Sequence, residues 1–433
     1  MCINYFANYK METTNEKCSF LIIQCDWDYV LRQHEGKAWV SLKHFGFSRP
    51  TSYGTLKRVG SAANGVPILE ASDRFTVDDI SARSIKISHT EFNVTTTFHA
   101  PVKTFHNIHN KSITTLDISK EGGLGVSACV DGTFNIWDTN NGMIRRKLVS
   151  HVGEVNCCNF FPSGMVVMSG GMDTQVKIWS AEDGTCARTL NGSHKCGILS
   201  LAAVGRGRNI VSASRDGSLK LWECSSASCV ANLLEGKSEI NFCCVTEMSD
   251  ELETQLVQGE EISDAMPGNL EFDTEHKVAT ACCENGEVIG VAVLKRSILF
   301  EMKLPSAVNC CCYLDETILV VGLHDGSIVV LDIKNTRHPL AKKQICGSPV
   351  LSLSNSNQDS SFWASFGDGR CSLLKMTSSL PQGGANGDNN QPNIEIVYEL
   401  TGPDCDPVYK VNATKSNWVF TASRDGVVRK YKC

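Results

Sequence analysis

Asp131-Gly132-Thr133-Phe134-Asn135-Ile136-Trp137-Asp138 is the stretch whose reading decides the fold. It returns as Asp173-Thr174-Gln175-Val176-Lys177-Ile178-Trp179, and again as Asp216-Gly217-Ser218-Leu219-Lys220-Leu221-Trp222. The three leading aspartates are spaced by 42 and 43 residues. Weaker copies begin at Asn285-Gly286, Asp325-Gly326, Asp368-Gly369 and Asp425-Gly426. A fixed period of this length marks a unit that buries its faces only against copies of itself.

A period of roughly 40–45 residues with a Trp-Asp ending is the signature of a WD-repeat propeller. The expected fold is therefore mainly β. A seven-bladed WD-repeat β-propeller spans residues 92–433, preceded by a small N-terminal α+β or β domain over residues 1–91. Each blade has four strands, a to d from the central channel outward. The last blade stops one strand short at Tyr431, so its outer strand should come from about residues 93–106. That closure removes two open sheet edges. The turn-to-turn distance stretches to 69 residues before Asn285 and to 57 before Asp425. These are two insertions: an acidic one at 247–275 and a Gly/Asn/Gln-rich tract at 377–391. They fall between strands a and b and between c and d, which share one face of the ring. The opposite, top face is expected to stay uncluttered, and the acidic insertion to be a disordered loop. In the N-terminal domain, Asp26 can cap a short helix carrying Trp27, Val30 and Leu31, with Gly36 ending it.

A second regularity accompanies the turns. Ser127, Ser169 and Ser212 lie four residues before Asp131, Asp173 and Asp216. His109, His151 and His194 lie 22 before them, and Trp137, Trp179 and Trp222 six after. Ser, His and Asp together suggest a hydrolytic triad. Three identical triads around one ring make little sense as active sites. The set reads instead as a buried chain, with Trp N–H on Ser, Ser on His, and His on Asp. No nucleophile elbow, P-loop or His-Glu-x-x-His motif is present, so no enzymatic activity and no cofactor are expected.

Composition narrows the rest. The 433 residues are 42% hydrophobic and 20% charged, as in an ordinary soluble protein. The apolar run Phe20-Leu21-Ile22-Ile23 is too short for a signal peptide or a membrane helix, so a cytoplasmic, possibly nuclear, location is expected. The 21 cysteines include no C-x-x-C spacing. Adjacent pairs such as Cys157-Cys158 point to opposite faces of a strand, so they are read as buried apolar residues and no metal site is expected. The net charge is −6, and residues 247–275 hold ten acidic side chains with no Lys or Arg. Neither number suggests nucleic-acid binding. The free chain is expected to be a monomer.

Binding should fall on the residues just before each turn, at the rim of the top face: Val130, Met172, Arg215, Glu284, His324, Gly367 and Arg424. Arg and Met are favoured at interfaces, so Arg215, Arg424, Met172 and His324 are the candidates. Asp404 and Asp406 join them from the loop entering blade seven. Each Arg could equally pair with a neighbouring carboxylate, and Asp404 and Asp406 could either capture a basic partner or pair with Arg424.

Beyond the generic repeat, particular phrases follow one another in order. They include Cys25-Asp26-Trp27, Ala38-Trp39, Gly122-Gly123-Leu124-Gly125-Val126-Ser127, Val155-Asn156-Cys157-Cys158, Phe161-Pro162-Ser163-Gly164 and Ser169-Gly170-Gly171-Met172-Asp173. Ile178-Trp179-Ser180-Ala181-Glu182-Asp183, Arg206-Gly207-Arg208-Asn209 and Asp404-Cys405-Asp406-Pro407-Val408-Tyr409-Lys410-Val411 follow. From about Gln24 onward the chain resembles the proteasomal ATPase-associated factor family, WD-repeat chaperones of proteasome regulatory-particle assembly. The resemblance implies a non-enzymatic scaffold that binds the C-terminal domain of a proteasomal ATPase subunit and restrains premature docking on the proteolytic core. The rival reading is a WD-repeat substrate receptor of a cullin-type ubiquitin ligase. Such receptors often carry Arg two positions after Trp-Asp, where this chain has Asn140.

Overall fold

Short stretches rich in apolar residues, separated by turns that carry Gly, Asp or Asn, are too short for helices and form antiparallel meanders. The computed structural model describes residues 18–63, 65–72, 74–149, 151–256, 266–336, 338–356, 358–377 and 392–433. Within them the chain builds seven four-stranded blades, ordered a-b-c-d from the channel outward. Blade one comprises Ile113–Ile118, Leu124–Cys129, Phe134–Asp138 and Ile144–Lys147. The inner strands of blades two to seven are Val155–Phe160, Ile198–Val204, Ile240–Glu247, Val308–Tyr313, Val350–Asn355 and Val408–Ala413. The turn glycines have a conformational reason. Gly132 and Gly217 sit at φ 81° and 74°, the left-handed region. Blade two puts Thr174 there instead, at φ 63°.

The inner strands are stitched blade to blade. Thr114 Oγ1 donates to Val155 O (2.8 Å), Asn156 Nδ2 to Ile198 O (2.8 Å), Asn241 Nδ2 to Val308 O (3.1 Å) and Asn309 Nδ2 to Val350 O (2.9 Å). Between blades the faces are apolar. Val288, Leu319, Val321 and Val329, for example, fill the seam of blades four and five with no exposed surface. Sheets packed in this way exclude water without a separate central core.

Blade seven takes its outer strand from Lys103–Phe105, which pairs antiparallel with Val428–Lys432. Val94–His99, only four residues earlier, does something else. It pairs parallel to Asn393–Leu400, the outer strand of blade six, and carries Ser84–His89 and Phe75–Ile80 with it. Blade six thus continues into a seven-stranded sheet. A second sheet of Cys18–Ile23, Lys37–Phe45, Ser52–Ser61 and Pro67–Ala71 packs across it around Leu21, Trp27, Val40, Phe75 and Ile87. Its helix, Trp27–Val30, follows Asp26, whose carboxylate accepts from Gln24 Nε2 (2.8 Å) instead of capping the helix. Gly36 is required after it, because a Cβ there would lie 1.9 Å from Val30 O.

Two further expectations need correction. The acidic insertion is not a loose loop where it is described. Asp250–Leu256 is helical, with Glu253 buried and paired to Lys295 (2.9 Å). On its far side Asn209 grips Leu270 O and Phe272 N (2.9 and 2.6 Å), and the Arg208 guanidinium lies 3.4 Å over the Phe272 ring. The acidic segment is ordered because blades three and four supply the cations. Residues 257–265 of this insertion, and 378–391 of the polar tract, lie outside the described residues. The top face is also not uncluttered throughout. Trp27 Nε1 donates to Thr401 Oγ1 (3.1 Å), and Arg370 sits 3.9 Å over the Phe20 ring. The N-terminal domain therefore covers the top of blade six.

Candidate functional site on the top face

The antiparallel meander puts every b–c turn and every d–a loop on one face. Three of those turns carry the repeated Ser/His/Asp/Trp set. In blade two, Trp179 Nε1 donates to Ser169 Oγ (2.8 Å), Ser169 lies 2.7 Å from His151 Nε2, and His151 Nδ1 lies 3.0 Å from Asp173. Blade three repeats this with Trp222, Ser212, His194 and Asp216 at 2.7, 2.7 and 3.0 Å. The indole can only donate, so the serine hydroxyl donates onward to Nε2 and the Nδ1 proton faces the carboxylate. Blade one departs from the expected chain. Trp137, Ser127 and His109 connect at 3.0 and 2.7 Å, but His109 Nδ1 meets Thr133 Oγ1 (2.9 Å), which in turn donates to Asp131 (2.7 Å). Thr133 is a relay between His109 and Asp131.

Electrostatics keep the imidazoles neutral and the carboxylate charged. Burial lowers the imidazoles of His151 and His194 and brings His109 down to about 4. Burial would raise the Asp216 carboxyl, but hydrogen bonds from Ser218, Lys195 N–H and His194 outweigh it and bring it to about 2. The serine hydroxyls are fully buried and already accept from tryptophan. A nucleophile must reach its substrate, and none of these can.

Blade seven solves the same problem with a residue that sequence reasoning passed over. Arg429 grips the Asp425 carboxylate and donates to Ser423 Oγ (2.8 Å), while Tyr431 donates to Thr401 O (2.7 Å). Arg370 does likewise in blade six, pairing with Asp368 at 3.1 Å. In both blades an Arg shortly after the turn aspartate was the available signal.

The residues before the turns are equivalent in all seven blades. The backbone N–H of Val130, Met172, Arg215, Glu284, His324, Gly367 and Arg424 donates to Ser112, Glu154, Gly197, Glu239, Ala307, Pro349 and Pro407 at 2.8–3.1 Å. The backbone is fixed and the side chain is left over. Arg215 is 54% exposed and pairs with Glu239 at 3.4 Å; Arg424 is 58% exposed and pairs with Asp406 at 2.8 Å. Met172 is 54% exposed, and His324 and Asp404 are exposed. Asp404 faces the Cys25 thiol of the N-terminal domain and, after burial, is the next cause of that thiol's raised pKa. Arg424, Val130, Met172 and Arg215 follow one another around the ring, whereas Asp404 sits at the N-terminal domain's edge and His324 lies in blade five. Val149 and Val152, 85% and 80% exposed, were missed. They flank His151, whose inward-pinned ring leaves its neighbours turned to solvent.

On the bottom face, Asp250, Glu253 and His276 converge. Their charges are met within the chain, His276 lying 2.6 Å from Asp250 and Lys295 2.9 Å from Glu253.

Comparison with known proteins agrees with this architecture. The family model "WD domain, G-beta repeat" matches residues 100–138, 142–180 and 184–223, the three blades with complete clasps. Among solved structures, the WD40 repeats of RRP9 superpose with a TM-score of 0.62 at 15% identity, covering 77% of this chain and 97% of that one. Human proteasomal ATPase-associated factor 1 is 43% identical over 95% of this chain and 98% of its own length. The probable factor of Dictyostelium discoideum is 30% identical over 95% of both. The 26S proteasome regulatory subunit RPN14 of Saccharomyces cerevisiae is 31% identical over 51% of this chain and 53% of its own. With its propeller, its clasps and this end-to-end similarity, the chain belongs to the proteasomal ATPase-associated factor 1 family.

Proposed function

We propose that the chain is a non-enzymatic scaffold that binds the C-terminal domain of a proteasomal ATPase subunit while the base of the regulatory particle assembles. By occupying that domain it restrains premature association with the proteolytic core. It acts as a monomer in the cytoplasm, and in the nucleus where assembly occurs there. The observation that carries this reading is the near-full-length similarity to relatives named for association with a proteasomal ATPase. The structure adds support by burying every candidate nucleophile of the clasps and by fixing the backbone at seven rim positions, six of which carry a side chain. Fold alone names no partner, so the test is direct. The full chain is immobilised and offered each purified proteasomal ATPase C-terminal domain in turn. Retention of one or more is expected, and retention of none overturns the reading.

A further inference from the structure

Resting on the reading that the top face receives the partner, we propose that one arc of it, across blades seven, one, two and three, docks an amphipathic segment presenting aliphatic side chains flanked by carboxylates. The arc is contiguous. A Cβ on Gly426 would meet Lys111 O at 2.8 Å, one on Gly132 would meet Gly153 O at 3.7 Å, and one on Gly197 would meet Met172 Cα at 3.3 Å. Arg424, Val130, Met172 and Arg215 therefore stand on neighbouring turns.

The centre of this arc is apolar and exposed: Val130, Val149, Val152 and Met172. Clustered exposed apolar side chains on a rim mark interaction sites, unlike scattered ones. They are also held in place. Asp173 takes the backbone N–H of Val152 at 3.0 Å and the ring of His151, so Val152 is kept from folding inward. Binding then costs little ordering. Beside Val149 is a hollow of about 370 Å³, bounded by Ile108, Asp131, Leu148 and Lys147, with room for an aliphatic anchor.

The flanks are cationic. The Arg215 and Arg424 guanidiniums meet one carboxylate each and keep further N–H groups toward solvent. Lys111 and Lys195 are exposed in the entering loops of blades one and three. The carboxylates of Asp131, Asp173 and Asp216 are turned into their own loops. Among the described residues, Glu154, half-buried, and Asp404 and Asp406 in the loop entering blade seven are the other acids, Asp406 being taken up by Arg424. Blade four is the opposite. Glu235, Glu239 and Glu284 are exposed there, and Lys237 is engaged by Glu301 at 3.2 Å. An acidic segment is thus drawn to the arc and repelled from blade four. The N-terminal domain closes off blade six.

The experiment measures fluorescence anisotropy of the full chain with three synthetic helical peptides. One has a leucine stripe flanked by Glu, one has the same stripe flanked by Lys, and one has Glu flanks with the leucines replaced by Ser. The first should bind at least tenfold tighter than the others. Val149→Asp with Val152→Asp should weaken it at least tenfold, and Val149→Ser with Val152→Ser by less. Arg215→Glu with Arg424→Glu should reverse the preference toward the Lys peptide. Tyr53→Asp, on the N-terminal domain, should change nothing. Equal binding of the Glu and Lys peptides by wild type overturns the proposal. So does indifference to the valine changes in variants that unfold at the wild-type temperature. A sedimenting dimer dissolved by Val149→Asp also overturns it, by making the arc a contact between copies. Capture of ATPase C-terminal domains is scored separately. Peptide binding without domain capture upholds the arc and overturns the proteasomal reading; domain capture without peptide binding does the reverse.

Discussion

Blades one to three and blades four to six reach the same shape by opposite chemistry. The first group ties strands b and c to the entering loop with Trp, Ser and His, all buried. In the second, Val291, Leu331 and Leu374 stand for Trp, and Ala281, Val321 and Ala364 stand for Ser. The replacements are concerted. A serine kept without its histidine would leave a buried hydroxyl unsatisfied, at a cost of about 1–3 kcal/mol, so in blades four to six the Trp and Ser positions turn apolar together, and blade six adds the Arg370–Asp368 pair. Blade seven stands between, its Asp425 held by Arg429.

The largest effect that would sharpen this contrast is Trp222→Ala. It removes a fully buried indole and its bond to Ser212, and should cost about 3–5 kcal/mol in denaturant unfolding. Leu331→Ala, in blade five, should cost about 2–5 kcal/mol through packing alone. A much smaller cost for Trp222→Ala would break the comparison.

Acid should discriminate next. His109 folds with its pKa lowered from 6.5 to about 4. Above pH 6.5 both states are neutral and the clasp is intact. As pH falls from 6.5 toward 4 the unfolded state takes the proton first, so stability is lost through that window, by at most about 3 kcal/mol for this group. His151 and His194 act in the same direction. Hydrogen exchange at pH 7 and pH 5 should show blades one to three losing protection while blades four to six hold theirs; parallel loss in all six contradicts it.

Ser169→Ala should cost about 1–3 kcal/mol by leaving the indole N–H of Trp179 and the His151 ring nitrogen unpaired. Ser169→Ala with His151→Leu and Trp179→Val, which makes the clasp positions of blade two apolar as Ala281 and Val291 are in blade four, should recover part of that loss, measured by the denaturation midpoint. A triple variant less stable than the single one argues that the two chemistries are not interchangeable. The smallest effect is Thr174→Gly. It relieves a β-branched residue at φ 63° and should stabilise blade two by about 1 kcal/mol, visible as a raised thermal midpoint.

What the sequence made legible was whatever repeats locally. The Trp-ending strands located blades one to three. Asn285-Gly286, Asp325-Gly326 and Asp368-Gly369 located the next three, because a left-handed turn leaves a glycine even where the clasp is gone. The clasp partners followed from fixed spacings, except that Thr133 stands between His109 and Asp131. What was illegible depends on contacts across long separations. Trp27 meets Thr401 across 374 residues, so no local pattern announces that the N-terminal domain covers blade six. The acidic insertion looked loose because its cations, Arg208 and Lys295, lie outside it in sequence. Of the top-face candidates, Arg215 and Arg424 were legible as free positions of the repeat. Val149 and Val152 were not, since burial of a neighbouring histidine decides where they point.

The closing strand, Lys103–Phe105, has a consequence in time. Its partner, Val428–Lys432, is made some 325 residues later. At roughly 5–20 residues per second, the ribosome leaves that edge waiting for about 15–65 s. During that interval blade one and the strand before it form an unclosed arc whose edges can pair with the wrong chain. Synthesis of this protein is therefore a race between its own last strand and any stray one, and slow elongation or crowded translation should reveal itself as aggregation long before the finished ring shows any weakness.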